Sequence, residues 1–538
     1  MTVNPAPRLS MTKTSRSYDY VIVGAGSAGC LLANRLSATG ARVVLLEAGG
    51  SDRRPEVKAP AAFPNQFQTA LDWNYMSEPE PGLFGRRLFL PRGKMVGGSS
   101  SMNAMLYARG NRSDYDRWES ELGASGWNYE AVLPHFKRHE RNAEHHDGFH
   151  GTAGEVYVTE KRWLSPHWER YIAAAEGLGI PQNPDYNGEH QEGASLFQTT
   201  TRGGRRWSAA DAFLRPALKR DNLDLVSGAL VHRIVTSRGR AVGVEYERRG
   251  SRHVVGAERE VVLSAGSYAS PHLLMLSGIG PADHLREHGI EPILDMAQVG
   301  ENLHEHVAAF CTWRSHDRRT LDDAANPRYL AQWLIARRGK LTSTVAEAVI
   351  HWRSDPGLPA PDFQIYFAPV YFWEHGFRKT GTPAVTIGPV LQAPSSRGQV
   401  RLRSSDPADH PRILNNMLSQ DAEVEAILKA LELVEELASR PPLAGVLGEQ
   451  LNPGGSIRDR ERRVAWLRAT CEHLYHPVGT CRIGPPGEGV VDPSLRVYGL
   501  EGLRVADASV MPRITSGNTN APTYMIAERC AALMTGGG

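Results

Sequence analysis

Residues 18–29 read Tyr-Asp-Tyr-Val-Ile-Val-Gly-Ala-Gly-Ser-Ala-Gly, an apolar run that ends in three closely spaced glycines. Gly24, Gly26 and Gly29 have the G-x-G-x-x-G spacing of a dinucleotide-binding strand–turn–helix unit. The first glycine permits the turn, the second lets the backbone approach a pyrophosphate, and the third lets the helix pack on the strand. The helix start, with Ser27 and Ala28, then offers amide donors to the phosphates. The sequence therefore predicts a nucleotide cofactor at this turn.

The residues that follow complete a βαβ unit. Residues 30–36 favour a helix, Gly40 closes it, and residues 41–46 are a second apolar strand that runs into Glu47. An acidic residue at this distance from the glycines is placed to hold ribose hydroxyls, and Ala48 follows it. Because such a residue suits a ribose without a phosphate, the turn fits either NAD or FAD and does not choose between them.

Composition limits the class of protein. A chain of 538 residues is longer than a single hydrophobic core usually supports, so two or three domains are expected. The net charge of +2 gives no electrostatic argument for nucleic acid or an anionic membrane, and no apolar run reaches the ~18–20 residues of a membrane span. Residues 1–17 lack the apolar stretch of a secretory signal and are expected to be a disordered tail. Five scattered cysteines suit free thiols in a reducing cytoplasm.

The order of patterns predicts an α/β fold with a Rossmann-like nucleotide-binding domain that is discontinuous in sequence. We assign this domain to residues 18–160, 223–310 and 470–538, with residues 51–90 as an irregular, lid-like stretch. Strands at residues 222–226 and 260–264 are expected to return to its sheet. The remaining residues, 161–222 and 311–469, form an inserted substrate-binding domain on a mostly antiparallel sheet, with strands near 362–369 and 384–391 and a helix over 420–440.

Further motifs follow in order along the chain. Residues 92–103 read Arg-Gly-Lys-Met-Val-Gly-Gly-Ser-Ser-Ser-Met-Asn, residues 266–280 read Gly-Ser-Tyr-Ala-Ser-Pro-His-Leu-Leu-Met-Leu-Ser-Gly-Ile-Gly, and residues 475–480 read Tyr-His-Pro-Val-Gly-Thr. Leu-Arg-Val-Ala-Asp-Ala-Ser at 503–509 and Gly-Asn-Thr-Asn-Ala-Pro at 517–522 complete the set. Together with the first turn, they resemble the glucose–methanol–choline (GMC) flavoprotein oxidoreductases, in particular the choline-dehydrogenase-like and hydroxymethylfurfural-oxidase-like members.

The resemblance implies FAD, with its adenine end on the first turn and Glu47. Family members that bind the flavin covalently use a histidine at the position of Met102, so non-covalent FAD is expected here. Beyond the first turn, the expected cofactor-contacting residues are Ala48, Trp73, Met95, Gly98, Asn103, Ala104, Met105, Leu106, Val231, Tyr475, Asp507, Ala508 and Asn520.

The resemblance also implies oxidation of an alcohol to an aldehyde, in which a hydride passes to flavin N5 and the hydroxyl proton goes to a base. His476 matches the family's catalytic histidine, and a neutral imidazole suits this role. With a reference pKa of about 6.5, His476 would lose activity below that pH. Asn518 is expected to bind the substrate oxygen, with Asn520 at the flavin edge, although the two positions could exchange these roles. The aromatic run at 363–373 serves either as core or, through residues 370–373, as a pocket wall that favours apolar or aryl alcohols.

Several alternatives stay open from the residues. The reduced flavin could pass its electrons to O₂ or to another acceptor. A lyase of the hydroxynitrile type, with FAD as a spectator, uses the same histidine. His304 and His306 alternate along the chain, so no metal site is predicted there. The charged stretch 109–118 and the histidines 145, 146 and 150 are expected to be solvated surface.

Overall fold

The computed structural model describes residues 17–159 and 161–536. The expected tail, except Ser17, lies outside these residues. The first sheet has a parallel core onto which two antiparallel strands continue. In spatial order its strands are Leu223–Ser227, Val43–Glu47, Tyr18–Val23, Ser251–Leu263, Arg240–Arg248 and Leu230–Ser237, with Leu503–Val505 beside Ser251–Leu263.

The parallel strands are buried on both faces, which explains their continuous apolar sequences. The strands expected at 222–226 and 260–264 are present in this sheet, at Leu223–Ser227 and within Ser251–Leu263. Because the carboxyl ends of parallel strands meet at one edge, Gly24, Glu47 and Ser264 come together there. This edge is where a ligand binds in an open α/β sheet.

The second sheet is antiparallel throughout. Its strands are Leu447–Asn452, Cys311–Ser315, Ala384–Leu391, Phe363–Ala368, Ala348–Trp352 and Gly193–Leu196, extended by Val307–Ala308 and Glu472–His473. The expected strands at 362–369 and 384–391 lie side by side in it. The α/β fold with a mostly antiparallel second sheet is therefore confirmed.

Helices cover the sheets, and one of them, Asp421–Ser439, matches the helix expected over 420–440. The others are Ser27–Ser37, Pro55–Lys58, Arg112–Ser120, Tyr129–His139, His167–Glu176, Arg215–Ala217, Gly266–Leu276, Ala282–Glu287, Pro327–Ala336, Arg460–Thr470 and Asn520–Thr535. Two-stranded ribbons pair Tyr75–Met76 with Phe89–Leu90, Glu140–Asn142 with Val156–Val158, Thr201–Arg202 with Arg205–Arg206, Ile279–Gly280 with Leu294–Asp295, and Gln399–Arg401 with Arg412–Leu414. Among the described residues, no helix combines the length and the apolar character that crossing a membrane requires.

The last helix, Asn520–Thr535, packs against the first helix, Ser27–Ser37. The Ser27 hydroxyl, at the start of helix Ser27–Ser37, donates to Asn520 Oδ1 over 2.6 Å. Arg35 near the end of that helix forms an ion pair with the buried Glu528. These contacts join residues almost five hundred positions apart, so the C-terminal helix packs beside the helix that follows the glycine turn.

The expectation that residues 109–118 and the histidines 145, 146 and 150 are solvated was wrong for three charged members, Arg109, Asp114 and His150. Arg109 and His150 are buried and share Glu140, which forms an ion pair with Arg109. Burial disfavours a charged His150, but its bonds to Asp185 (2.8 Å) and Glu140 (3.0 Å) raise its pKa to about 9. Arg109, Glu140, His150 and Asp185 therefore form a buried network of opposite charges, which the alternation of charge along the sequence does not show.

Candidate active site

A deep cleft extends from the carboxyl edge of the first sheet to the face of the second sheet. It encloses about 2280 Å³, including its opening to solvent. Gly24 and Glu47 line one end of it, and His476 and Asn518 line the other. Both predicted ends of an extended dinucleotide site therefore belong to one continuous cavity.

The glycine turn leaves its open side to the cleft. Gly24 has φ +97°, and a Cβ there would lie 2.5 Å from the Ser264 carbonyl oxygen. A Cβ on Gly29 would lie 1.9 Å from the carbonyl oxygen of Gly24, so helix and strand are in direct backbone contact. A Cβ on Gly26 would meet only Ser264, at 3.9 Å, and would otherwise enter the cleft. The space beside Gly26 and the helix start thus fits a pyrophosphate.

Glu47 is buried directly beneath the turn. One carboxylate oxygen accepts from the Ala25 amide (2.9 Å), and the other accepts from the Gly49 amide (2.8 Å). Burial raises the pKa of Glu47 to about 7, against the effect of these two donors. The carboxylate therefore fixes the shape of the turn and still has lone pairs for ribose hydroxyls.

At the other end, a hydrogen-bonded chain runs through two histidines. His306 Nε2 lies 3.1 Å from the Thr515 carbonyl oxygen, and His306 Nδ1 lies 2.9 Å from His476 Nδ1. The antiparallel pairing of Val307–Ala308 with Glu472–His473 brings these rings together. The Glu305 carboxylate accepts from the backbone amides of both His476 (2.6 Å) and His306 (3.0 Å), which fixes the two segments relative to each other.

The chain of bonds defines the tautomers. A carbonyl oxygen only accepts, so His306 donates to Thr515 through Nε2–H and, as a neutral ring, keeps a lone pair on Nδ1. His476 must then donate through Nδ1–H, which leaves its Nε2 as an acceptor. Burial lowers the pKa of His306 to about 3, in agreement with a neutral ring.

His476 is also held neutral. Burial, with smaller contributions from His306, Arg92 and His473, lowers the pKa of His476 well below its usual value. The reference pKa of about 6.5 used in the sequence analysis therefore does not apply to His476 in the folded site. The difference arises because the sequence gives the residue type, whereas desolvation is a property of the folded site.

Asn518 faces His476 and not the pyrophosphate end. Its Nδ2 lies 3.3 Å from His476 Nε2 and donates to the Tyr366 hydroxyl over 3.1 Å. Asn520 instead receives the Ser27 hydroxyl at the start of the first helix. Of the two asparagines, the structure therefore brings Asn518 to the candidate base.

Most of the predicted site residues line the cleft. The set comprises Gly24, Gly26, Ser27, Ala28, Glu47, Ala48, Trp73, Gly98, Asn103, Ala104, Met105, Leu106, Val231, Tyr475, His476, Asp507, Ala508, Asn518 and Asn520. Gly29 and Met95 do not line it. Gly29 is in contact with the backbone of Gly24, and Met95 is fully buried in an apolar cluster with Phe63 and Met102.

Sequence reasoning missed three contributors to this end of the site: His306, the Thr515 carbonyl and Tyr366. His306 was considered only as a metal ligand. Tyr366 belongs to the aromatic run 363–373, for which a core role and a pocket wall at residues 370–373 were the two alternatives. Phe372 does line the cleft, together with Tyr366 and Ala368. The period-two alternation of strand Phe363–Ala368 was the available signal, since it orients residues 366 and 368 alike.

One described cluster of potential metal ligands exists elsewhere, formed by Asp147, His150 and Asp185. The two ring nitrogens of His150 already bond to Asp185 and Glu140, as a protonated imidazole does. This arrangement explains the cluster as an ion pair network.

Comparison with known proteins agrees with this geometry. Models of the GMC oxidoreductase family match residues 18–308 and 394–527. The chain is 44% identical over 522 residues to an oxygen-dependent choline dehydrogenase of Sinorhizobium medicae, covering 95% of this chain and 94% of that protein.

Two solved structures are similar over nearly their whole length. Pyridoxine 4-oxidase from Mesorbium loti has a TM-score of 0.87 and 31% identity, covering 96% of this chain and 98% of that one. A variant of Aspergillus oryzae formate oxidase, solved in connection with FAD modification, has a TM-score of 0.92 and 26% identity, covering 97% and 99%. From its sequence motifs, its cleft and these matches, the chain belongs to the GMC oxidoreductase family of FAD-dependent enzymes.

Proposed function

We propose that this protein oxidises an apolar or aryl primary alcohol to the aldehyde, with His476 as the base and FAD, held non-covalently, as the hydride acceptor. The observation that carries the proposal is the chain from Thr515 through His306 to His476, because it leaves a lone pair on His476 Nε2 beside Asn518. By name, the relatives reported above act on choline, on pyridoxine and on formate, so two of the three act on an alcohol.

The residues of the first domain would hold the cofactor. Glu47 would bind the ribose, the amides that follow Gly26 would bind the pyrophosphate, and residues 103–106 would lie along the flavin. Met102 lines the cleft with a thioether, which offers no nitrogen for a covalent flavin link. When bound, FAD accepts a hydride from the carbon of the alcohol.

The protein's own residues handle the proton. His476 Nε2 would accept the hydroxyl proton, while the Asn518 amide donates to the same oxygen and stabilises its developing negative charge. Tyr366 holds the Asn518 amide in position through its hydroxyl. Because burial keeps the His476 ring neutral, its Nε2 lone pair would be available to accept a hydrogen bond from the alcohol hydroxyl.

The wall of the substrate end supports an apolar or aryl alcohol. Phe63, Phe310, Val345, Phe372 and Leu474 line this region. Such a surface gains from burial of an apolar substrate and offers ring faces to an aryl group.

Among the described residues, the substrate end has no acidic group to pair with a cation. In the described part of the chain, the carboxylates that line the cleft are Glu47, Asp409 and Asp507. Glu47 ends a strand of the first sheet, Asp507 follows another, and Asp409 is next to His410, whose ring packs on Tyr75. This placement favours a neutral alcohol over a quaternary ammonium alcohol.

The test is anaerobic mixing of the purified flavoprotein with benzyl, furan, aliphatic and choline-type alcohols while the visible flavin absorbance is followed. Bleaching by benzyl or furan alcohols at lower concentrations than by choline is the expected result. Readmitted air would distinguish O₂ from another acceptor by the rate at which the colour returns. An aldehyde released from a cyanohydrin with no bleaching by any alcohol would instead indicate the lyase.

The proposal includes the cytoplasm as the compartment. All five cysteines are buried and form no disulfide, which suits a reducing environment.

A further inference from the structure

One helix of the second domain presents apolar side chains to solvent. In helix Pro327–Ala336, Leu330 is 44% exposed, Leu334 is 50% exposed and Ile335 is 86% exposed. Leu330 and Leu334 are four positions apart, so they share one face, and Ile335 lies about 100° further around the exposed side of the helix. We call these three side chains the apolar face; contiguous exposed apolar surface marks an interaction site.

The helix is anchored to the rest of the chain through Trp333. Trp333 is 2% exposed, and its indole nitrogen donates to the Gly204 carbonyl oxygen over 2.8 Å. Trp333 packs in an apolar cluster with Ala59 and Leu341. The Arg337 guanidinium lies 4.1 Å from the Trp333 ring centroid and caps this anchor. Trp333 therefore anchors the inner side of the helix, and the apolar face lies on its exposed side.

Basic side chains surround the apolar face. Arg328 and Arg338 lie at the two ends of the helix and are exposed. The ribbon Thr201–Arg206, which receives Trp333 at Gly204, carries the exposed Arg205. Arg206 of the same ribbon donates to the Val57 carbonyl oxygen. Arg54, three residues before Val57, is exposed and therefore lies near this surface.

Acidic groups offset this charge only in part. Asp323 pairs with Arg328 (3.3 Å) and with Lys340, and Glu56 lies 3.8 Å from Arg54. No carboxylate among the described residues forms an ion pair with Arg205 or Arg338, so a positive excess remains at this surface.

The helix also lies near the wall of the cleft. Its anchor cluster includes Ala61 and Ala62, and the same segment, Pro60–Gln66, contributes Phe63 to the cleft wall. On the other side, Lys340–Thr342 follows the helix and leads into Val345, which also lines the cleft. The segments that hold the helix therefore also contribute to the cleft wall.

We propose that this helix docks the enzyme on the surface of an anionic lipid bilayer. The apolar face would insert at the boundary of headgroups and acyl chains, and the surrounding arginines would bind lipid phosphates. The near-neutral net charge of +2 does not oppose this binding, because only charge within a Debye length of the bilayer contributes. Docking is independent of the proposed alcohol oxidation, since it depends on this surface alone.

The test is co-sedimentation of the FAD-loaded enzyme with vesicles of phosphatidylglycerol mixed with phosphatidylcholine. The expected result is binding that weakens with added salt and is much lower on phosphatidylcholine alone. Ile335→Glu should weaken the vesicle affinity by about tenfold or more, since it removes one inserted aliphatic side chain. Arg338→Glu should weaken it on the anionic vesicles and not on phosphatidylcholine.

The matched control is Ile293→Glu, because Ile293 is 54% exposed in the first domain, away from this helix. This variant should bind vesicles like the unmodified enzyme. No binding to anionic vesicles, or equal binding by Ile335→Glu, would overturn the proposal. A dimer in light scattering that Ile335→Glu dissociates, without vesicle binding, would show that a second copy of the chain covers the face. Flavin reduction in solution by each variant verifies that the site is intact.

Discussion

Replacement of His306 by leucine tests the proton pathway most directly. The leucine removes the acceptor for His476 Nδ1–H and the donor to the Thr515 carbonyl, while filling much of the same space. His476 would then distribute between its two tautomers, only one of which has its lone pair on Nε2. Loss of a single hydrogen bond costs about 1.5 kcal/mol at most, or about tenfold in rate. A fully wrong tautomer costs about 10⁴-fold in a serine protease. We expect the rate constant of flavin reduction to fall between these limits.

The assay is anaerobic stopped-flow reduction of the flavin at saturating alcohol over a range of pH. After burial, His306 makes the next largest contribution to the lowered pKa of His476, so its removal should move the acidic limb of the rate upward, while burial still keeps that limb below about 6.5. A purely structural role would not move this limb. His306→Asn, whose amide can both accept and donate, should recover part of the rate.

His304→Leu is the matched control. His304 belongs to the same segment, is buried, and neither of its ring nitrogens has a hydrogen-bond partner. This variant should retain both the rate and the acidic limb. If His306→Leu binds FAD, remains folded and reduces its flavin at the original rate with the original pH profile, the tautomer argument is refuted.

The remaining predictions concern both ends of the cleft. Asn518→Leu should lower the flavin reduction rate about 10- to 100-fold without loss of FAD, because a hydrogen bond to a charged oxygen contributes about 1.5–3 kcal/mol; stopped-flow reduction measures this. In the unmodified enzyme the rate should stay constant as pH falls through about 6.5, because the lowered pKa keeps His476 neutral there; a limb centred at 6.5 would contradict it. Gly29→Ala should be purified without flavin, since its Cβ would lie 1.9 Å from a backbone oxygen, whereas Gly148→Ala, in open space, should be yellow. Glu47→Leu should lower the unfolding temperature, since two buried amides lose their acceptor at about 1–3 kcal/mol each.

Much of the fold was accessible from local patterns. The glycine spacing after an apolar strand predicted the first βαβ unit, because a tight turn against backbone tolerates no side chain at Gly24 or Gly29. Continuous apolar runs predicted strands buried on both faces, and period-two alternation predicted strands of the second sheet. The buried network of Arg109 and His150 was missed, since a charged residue on a sequence does not show whether an opposite charge lies across the fold.

The residue types at fixed short spacings were enough to identify the family, the cofactor class and the candidate base His476, with Asn518 and Asn520 as two candidates beside it. The folded site was needed to show that Asn518 and not Asn520 faces His476, that His306 bonds to the His476 ring, and that burial lowers the pKa of His476. The physical reason is that a tautomer and a desolvation energy depend on neighbours in space, and the neighbours of His476 lie 42 and 170 residues away along the chain.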